Sequence, residues 1–406
     1  MKVLKNIGLI LLGTVILYGG YYSAAHSIDF PTYYRVGEQI LRHDFNLYPP
    51  ELHALGEAKT GLYFRYAPII AMTFTPFALL NMQAAAFLFY LMKIAALYCM
   101  IKLILKSIGN ESASLAKTCS ITFVITAGFL IEEFRSGNIH FLVFFLIVLA
   151  LYLIEKGRAT LPAFLLGLAI AIKITPLFFL FYFAIKRKFA LCLQTLSSVA
   201  LLFLAPALLL GAQANTILIQ QWASSALEQK DASTNHSLKG VLFKYLNEND
   251  IDDKKYGRIN LANFPRQSVN TAWYALSLGL IIALTVLISK QNTGSERRWL
   301  EYCLVITAIL LLSPHSTRLY YCTLALPCAV LVILLFKYPG NPYSKTIQVA
   351  LGICFLTSTL APVIMPGRKA SLAYEAHSPY FFSALVLFFV LSLLVLRFEK
   401  NKEVTI

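Results

Sequence analysis

Apolar runs of about 18 to 25 residues recur along this chain from end to end, and each is long enough to cross a bilayer as a helix. No other feature constrains the fold as strongly. The 406 residues are 58% hydrophobic and only 14% charged, against roughly 25% charge in a soluble domain. Most side chains must therefore face lipid or other apolar helices. The expected architecture is an all-α polytopic membrane protein, a single integral domain over residues 1–406 without internal repeats.

The formal net charge of +15 does not mark a nucleic-acid partner. The basic residues are scattered between apolar runs, where cytoplasmic loops collect Lys and Arg. The seven cysteines (Cys99, Cys119, Cys192, Cys303, Cys322, Cys328, Cys354) stand in apolar runs without metal-ligand spacing. They read as small buried hydrophobes, not as a disulfide framework or a metal site. The basic start Met1-Lys2-Val3-Leu4-Lys5 and the apolar residues 7–24 precede a poor cleavage sequence. That segment is read as a retained first helix with a cytoplasmic N-terminus.

Residues 67–80 are apolar but short, which suits an interfacial or re-entrant helix better than a span. With that segment kept outside, spans fall near 85–106, 117–133, 138–155, 160–172, 175–185 and 189–211. Others follow near 269–289, 298–313, 319–336, 346–363 and 380–396, making about 12 transmembrane helices with the first. Lys102, Lys106, Lys117, Lys156, Arg158 and Lys186 then face the cytoplasm with both termini. The opposite parity exports several of these residues, against the positive-inside trend. The chosen parity requires two half-spans meeting at Lys173-Ile174-Thr175-Pro176, where Pro176 removes a helix hydrogen bond. One kinked helix is the alternative. Residues 25–84 become a first outer loop with juxtamembrane helices, and 212–268 a large outer loop. All seven histidines and most of the 20 acidic residues fall on that side, which points to an extracytoplasmic site.

Polar groups set into this apolar frame carry the functional signal. Asp29, in Ile28-Asp29-Phe30-Pro31, reads as a general base for a hydroxyl or as the cap of a helix beginning near Pro31. Tyr33 and Tyr34 follow it. Arg65, beside Tyr66 in Phe64-Arg65-Tyr66-Ala67-Pro68, either grips a phosphate or reaches lipid headgroups. The stretch from Glu132 to His140 is either a site built on Arg135, Asn138 and His140 or a solvated turn pivoting on Gly137. Lys173 stands in an apolar run with no carboxylate near it in sequence, and a buried ammonium needs an anionic partner. The phosphate of a membrane-embedded ligand would serve. His315 and Arg318 follow the helix-breaking Pro314 and suit a phosphate or sugar contact, or an interfacial turn. Asn235-His236 in the large loop suit an acceptor contact, whereas Asp250-Ile251-Asp252 reads as a solvated acidic run.

Taken together, these segments resemble glycosyltransferase family 87, integral membrane enzymes of GT-C architecture that use polyprenyl-phosphate-mannose-type donors. The matching elements are Asp29-Phe30 with Tyr33-Tyr34, Leu47-Tyr48-Pro49, Arg65-Tyr66-Ala67-Pro68 and Ser136-Gly137-Asn138. Lys173 with Pro176, Asn235 with Ser237-Leu238, and Ser313-Pro314 with Ser316 complete the set in the family's order. The resemblance implies a GT-C-type fold whose first outer loop is catalytic, with Asp29 as the base. It implies a single sugar, mannose in the better-known members, carried on a polyprenyl monophosphate and used at the outer face of the cell membrane. Donor-phosphate contacts are then expected from Lys173, Arg135, Arg318, Arg65 and His315. Sugar or acceptor contacts are expected from Tyr33, Tyr34, Tyr66, Asn138, His140, Asn235 and His236. The expected partners are the lipid-linked donor, a lipid or glycan acceptor and membrane lipids. No cofactor or metal is called for, since cationic side chains can meet the charge on the leaving phosphate. A transporter or flippase for a lipid-linked anion is the rival, because broken helices and a buried lysine are transporter features too.

Overall fold

The computed structural model describes residues 2–48, 64–109, 114–226, 234–247, 259–291 and 293–397, and every regular element among them is helical. Helix α1 (Lys2–His26) passes through a short bend into α2 (Phe30–Leu41). Then come α3 (Pro68–Phe74), a 3-10 turn (Phe77–Leu79), α4 (Met82–Ile108), α5 (Leu115–Ser136), α6 (His140–Glu155) and α7 (Thr160–Ile172). After a 3-10 turn at Thr175–Leu177 follow α8 (Phe178–Ile185), α9 (Phe189–Leu204, continued by Ala207–Leu210), α10 (Ala212–Ala226) and α11 (Leu238–Leu246). The remainder is α12 (Arg266–Ile288), α13 (Ser295–Leu312), α14 (Ala325–Lys337, led in by the 3-10 stretch Arg318–Leu324), α15 (Ser344–Phe355), α16 (Gly367–Ala376) and α17 (Pro379–Arg397). The expected Asp250-x-Asp252 run, Pro49 and the last nine residues lie outside the described residues.

Among the described residues, seven helices are long and apolar enough to cross a membrane: Met82–Ile108, Leu115–Ser136, Phe189–Leu210, Arg266–Ile288, Arg318–Lys337, Ser344–Ile364 and Pro379–Arg397. Shorter apolar helices cover Pro68–Leu79, His140–Glu155, Thr160–Ile172 and Thr175–Ile185. The chain is a polytopic, membrane-embedded helical protein. Both irregularities anticipated from the sequence are present. Residues 68–79 form only short helices, and the backbone at Lys173 is extended (φ −148°, ψ 129°), parting α7 from the turn that holds Pro176.

Helices α13 and α14 form the centre of the bundle. Trp299 through Leu311 and Tyr320 through Leu334 are buried almost without interruption. Helices α9 and α12 instead turn Leu193, Leu201, Leu208, Tyr274, Leu278 and Val286 outward, the faces that a bilayer covers. Lipid tails are as apolar as the helices, so association depends on close packing and on small residues. Gly128 of α5 supplies one such contact: a Cβ there would fall on the Ser358 carbonyl. At that place a π-turn (Leu356–Leu360) interrupts the helix and Ser358 donates to the Ile125 carbonyl across 2.6 Å.

At the end of α6 remote from His140, buried charges are paired, as burial requires. Glu301 accepts from Lys186 (2.8 Å), Arg297 (3.2 Å) and Tyr182 (2.8 Å), while Arg298 and Tyr302 hold Glu155. This network ties α6, α8 and α13 together and leaves the opposite end of the bundle to carry the polar groups described next.

Candidate active site

The site is organised by the turn between α5 and α6. Helix α5 ends at Ser136 with Gly137 in the left-handed region (φ 71°). The Gly137 N–H returns to the Phe134 carbonyl and the Asn138 N–H to the Glu133 carbonyl, the paired bonds that close a helix end of this kind. The Ser136 carbonyl then accepts from the backbone N–H groups of Ile28 (3.0 Å) and Asp29 (2.8 Å). A Cβ on Gly137 would lie 2.7 Å from the Phe30 Cβ and 3.0 Å from the Ser27 Cβ. Glycine is therefore what allows the α1–α2 junction to sit on this turn.

Asp29 occupies the position before α2 but makes no side-chain cap bond. Its carboxylate accepts instead from the Asn138 side-chain amide, 2.9 Å away. The Asn138 side-chain oxygen Oδ1 takes the His140 backbone N–H (3.1 Å), which fixes the orientation of the amide. Burial raises the Asp29 carboxyl above the ordinary carboxylate range, opposed chiefly by the Asn138 hydrogen bond and then by the charge of Lys93.

His140 and Lys173 meet across 2.8 Å between Nε2 and Nζ. With the ammonium as donor, Nε2 is the acceptor and the ring proton sits on Nδ1. The ammonium also lies over the Tyr320 ring, 3.1 Å from its centroid, and the Tyr320 hydroxyl bonds Thr175 in the turn after Lys173. Sequence reasoning treated Lys173 as a buried ammonium. It is only half-buried, and among the described residues the fully buried lysines are Lys93 and Lys244.

An aromatic floor lies under Asp29. Phe30 packs on Phe89 (5.1 Å between centroids) and Tyr33 stacks on Phe74 (4.9 Å). The Tyr33 and Tyr66 hydroxyls are 3.0 Å apart, and burial lifts both phenols well above their ordinary pKa, so they stay neutral. Tyr34 donates to the Leu80 carbonyl and Tyr48 to the Tyr66 carbonyl. Trp222 of α10 donates to the Arg65 carbonyl. The first-loop segments are thus stitched to each other and to α10.

The other expected site residues lie in different settings. Arg135 pairs with Glu132 (2.8 Å) on the half-exposed side of α5. Arg318 pairs with Glu375 (2.5 Å). Asn235 spends its amide on the backbone: Nδ2 donates to the Pro314 carbonyl, and Oδ1 accepts from Ser237 and Ser316 N–H groups. His236 N–H donates to the Ser316 carbonyl, and its buried ring packs 5.0 Å from Tyr380. Burial, with Lys244, Arg318 and His315 nearby, drives the His236 pKa well down. Asn235 and His236 thus knit the large loop to the Ser313–Ser316 turn that carries His315.

One pair was missed. Lys93 and Glu133 are both fully buried, with Nζ 3.3 Å from Oε2. In the sequence Glu133 stands out only as part of a polar stretch. Lys93 stands in the apolar run of α4 as Lys173 does in its own, and the same argument from intramembrane charge would have singled it out.

A carboxylate, an amide and an ammonium gathered at one end of a membrane-embedded bundle make this the candidate catalytic site. The model of glycosyltransferase family 87 matches residues 64–314, more than half of the chain. The chain belongs to that family, and is a membrane glycosyltransferase with a sugar donor and an acceptor as substrates. The matched stretch contains Lys93, Glu133, Asn138, His140 and Lys173, while Asp29 precedes it. No curated protein matches the chain.

Proposed function

We propose that this glycosyltransferase moves one sugar, mannose by the family resemblance, from a polyprenyl-phosphate carrier to a hydroxyl of a lipid or glycan acceptor. The observation that carries the reading is the Asp29 carboxylate held by Asn138 on the same turn that brings His140 to Lys173. Asp29 takes the proton of the acceptor hydroxyl as that oxygen attacks the anomeric carbon. A carbon–oxygen bond forms on one face while the bond to the phosphate oxygen breaks on the other, and the electron pair leaves with the phosphate. The anomeric configuration inverts through an oxocarbenium-like transition state, as in inverting glycoside hydrolysis.

Charge gathers on the departing phosphate, and cations placed beforehand stabilise it more in the transition state than in the ground state. Lys173, steadied by His140 and Tyr320, is the principal one in this scheme. Arg135, Arg318, Arg65 and His315 are secondary phosphate contacts, and Arg135 and Arg318 would share their charge with Glu132 and Glu375. These cations suffice for a metal-independent reaction. Tyr33, Tyr34 and Tyr66 would shape the sugar and acceptor side, with Asn138 and His140 beside them. Asn235 and His236 act there only through the turn that they hold. The scheme places the site on the extracytoplasmic side with both termini in the cytoplasm, on the distribution of Lys and Arg.

The test is transfer by the purified protein in liposomes from polyprenyl-phosphate-mannose, with the product anomer read by NMR. Inverted product formed in the presence of EDTA supports the scheme. Retained configuration overturns direct displacement, and transfer only from a nucleotide sugar overturns the donor.

A further inference from the structure

Lys93 lies in the middle of α4 and Glu133 in the last turn of α5, and both side chains are withdrawn from the surface. The Lys93 ammonium donates to the backbone carbonyls of Glu133 (3.0 Å) and Asn138 (3.1 Å) and to the Glu133 carboxylate (3.3 Å), with the Phe134 carbonyl 3.5 Å away. The rings of Phe89 and Phe134 flank it at 5.2 and 5.3 Å. The second Glu133 oxygen takes the backbone N–H of Phe141 (3.0 Å). One ion pair therefore grips α4, the last turn of α5 and the first turn of α6, on both sides of Gly137.

Packing alone gives weak reason for such a pair, because well-fitted apolar residues commonly serve as well or better than a buried salt bridge. Its location gives a stronger one. The Asn138 carbonyl is held by Lys93, and the Asn138 side-chain amide holds Asp29. We infer that Lys93 and Glu133 are positioning residues for Asp29, fixing through Asn138 the place of the carboxylate that receives the acceptor proton. This rests on the reading of Asp29 as the base. The groups acting on Asp29 from the elements around it are Asn138, Ser136, Lys93 and Glu132, with Tyr33, Tyr66 and Glu133 also within electrostatic reach. Lys93 favours the charged carboxylate, and Glu133 opposes it.

The experiment compares full-length Lys93→Met, Glu133→Gln and Lys93→Met/Glu133→Leu with wild type and Asp29→Asn. The double variant removes both charges, so no uncompensated ion is left inside. Each is assayed for thermal unfolding, for kcat and KM with polyprenyl-phosphate-[14C]mannose and membrane-lipid extract, and for the pH dependence of the rate. The double variant is expected to unfold near the wild-type temperature, with kcat down by about 10²-fold and KM little changed. The acid limb is expected at higher pH in Lys93→Met and at lower pH in Glu133→Gln. Wild-type kcat in the folded double variant, with acid limbs unmoved in the single ones, overturns the inference. If the double variant does not fold, Glu133→Gln decides by the same two readings. Activity retained in Asp29→Asn would instead sink the base assignment, a result the other variants cannot mimic.

Discussion

Asn138 donates its side-chain amide to the Asp29 carboxylate across 2.9 Å, although 109 positions separate the two residues in the chain. The other end of the same amide accepts the His140 N–H, so only one orientation satisfies both bonds. Asp29 is thereby tied to the α5–α6 turn rather than to the helix that it precedes. A carboxylate held in this way is fixed in position and is only partly relieved of the penalty of burial.

The pH profile follows from that balance. Burial raises the Asp29 pKa, and Asn138 and Lys93 pull it back. In the proposed mechanism Asp29 works only when ionised, so the rate is expected to fall as pH drops through the raised value. Asn138→Ala removes the strongest opposing contact, and its acid limb should move to higher pH than that of wild type. The stability linkage has the opposite sense: the folded state holds this proton more tightly than the unfolded chain, so Asp29 favours folding less as pH rises through the same window. Initial rates across an acidic pH series measure the first, and unfolding midpoints the second.

Two glycines separate backbone strain from crowding. Gly137 (φ 71°) and Gly157 (φ 72°) both take the left-handed conformation, which costs other L-residues about 1–2 kcal/mol. A Cβ on Gly157 meets open space, whereas one on Gly137 meets Phe30 and Ser27. Gly157→Ala should lower the unfolding temperature slightly and leave transfer intact. Gly137→Ala should lower it further and abolish most transfer, since the α1–α2 junction must move. Paired thermal-shift and transfer assays distinguish them.

Lys173→Met should reduce kcat by about 10²- to 10³-fold, the usual effect of removing one preorganised charge-stabilising group. The loss should fall on kcat more than on KM, because in the proposed mechanism the phosphate charge grows towards the transition state. Steady-state kinetics with the lipid-linked donor read both constants.

Much of this was legible in the sequence because membrane depth penalises polar groups severely. The all-helical polytopic class, the short helix at 68–79 and the break at Lys173 follow from run length and from Pro176, whereas seven helices among the described residues, against the twelve expected, are long and apolar enough to span. Asp29, Asn138 and His140 were each nominated by type and position, but their mutual bonds were not readable, since they depend on how Gly137 lets two helix junctions dock. Asp29 also fitted a helix cap, and only the coordinates show that its carboxylate makes no such bond. The Lys93–Glu133 pair joins residues 40 positions apart, a contact for which hydropathy carries no signal.

The Tyr33–Tyr66 hydroxyl contact should contribute about 1 kcal/mol, the ordinary net worth of such a bond. Tyr33→Phe, Tyr66→Phe and the double variant form a cycle whose coupling energy, read from unfolding, reports it. Transfer should persist in all three with an altered KM for the acceptor.

The most direct test of the account is label transfer from radiolabelled polyprenyl-phosphate-mannose by membranes carrying wild type or Asp29→Asn, matched for protein amount, with host lipids and glycans as acceptors. The account predicts transfer by the wild type and a loss of about 10²- to 10⁴-fold in Asp29→Asn, the range for removing a general base. Transfer at the wild-type rate in Asp29→Asn would contradict it.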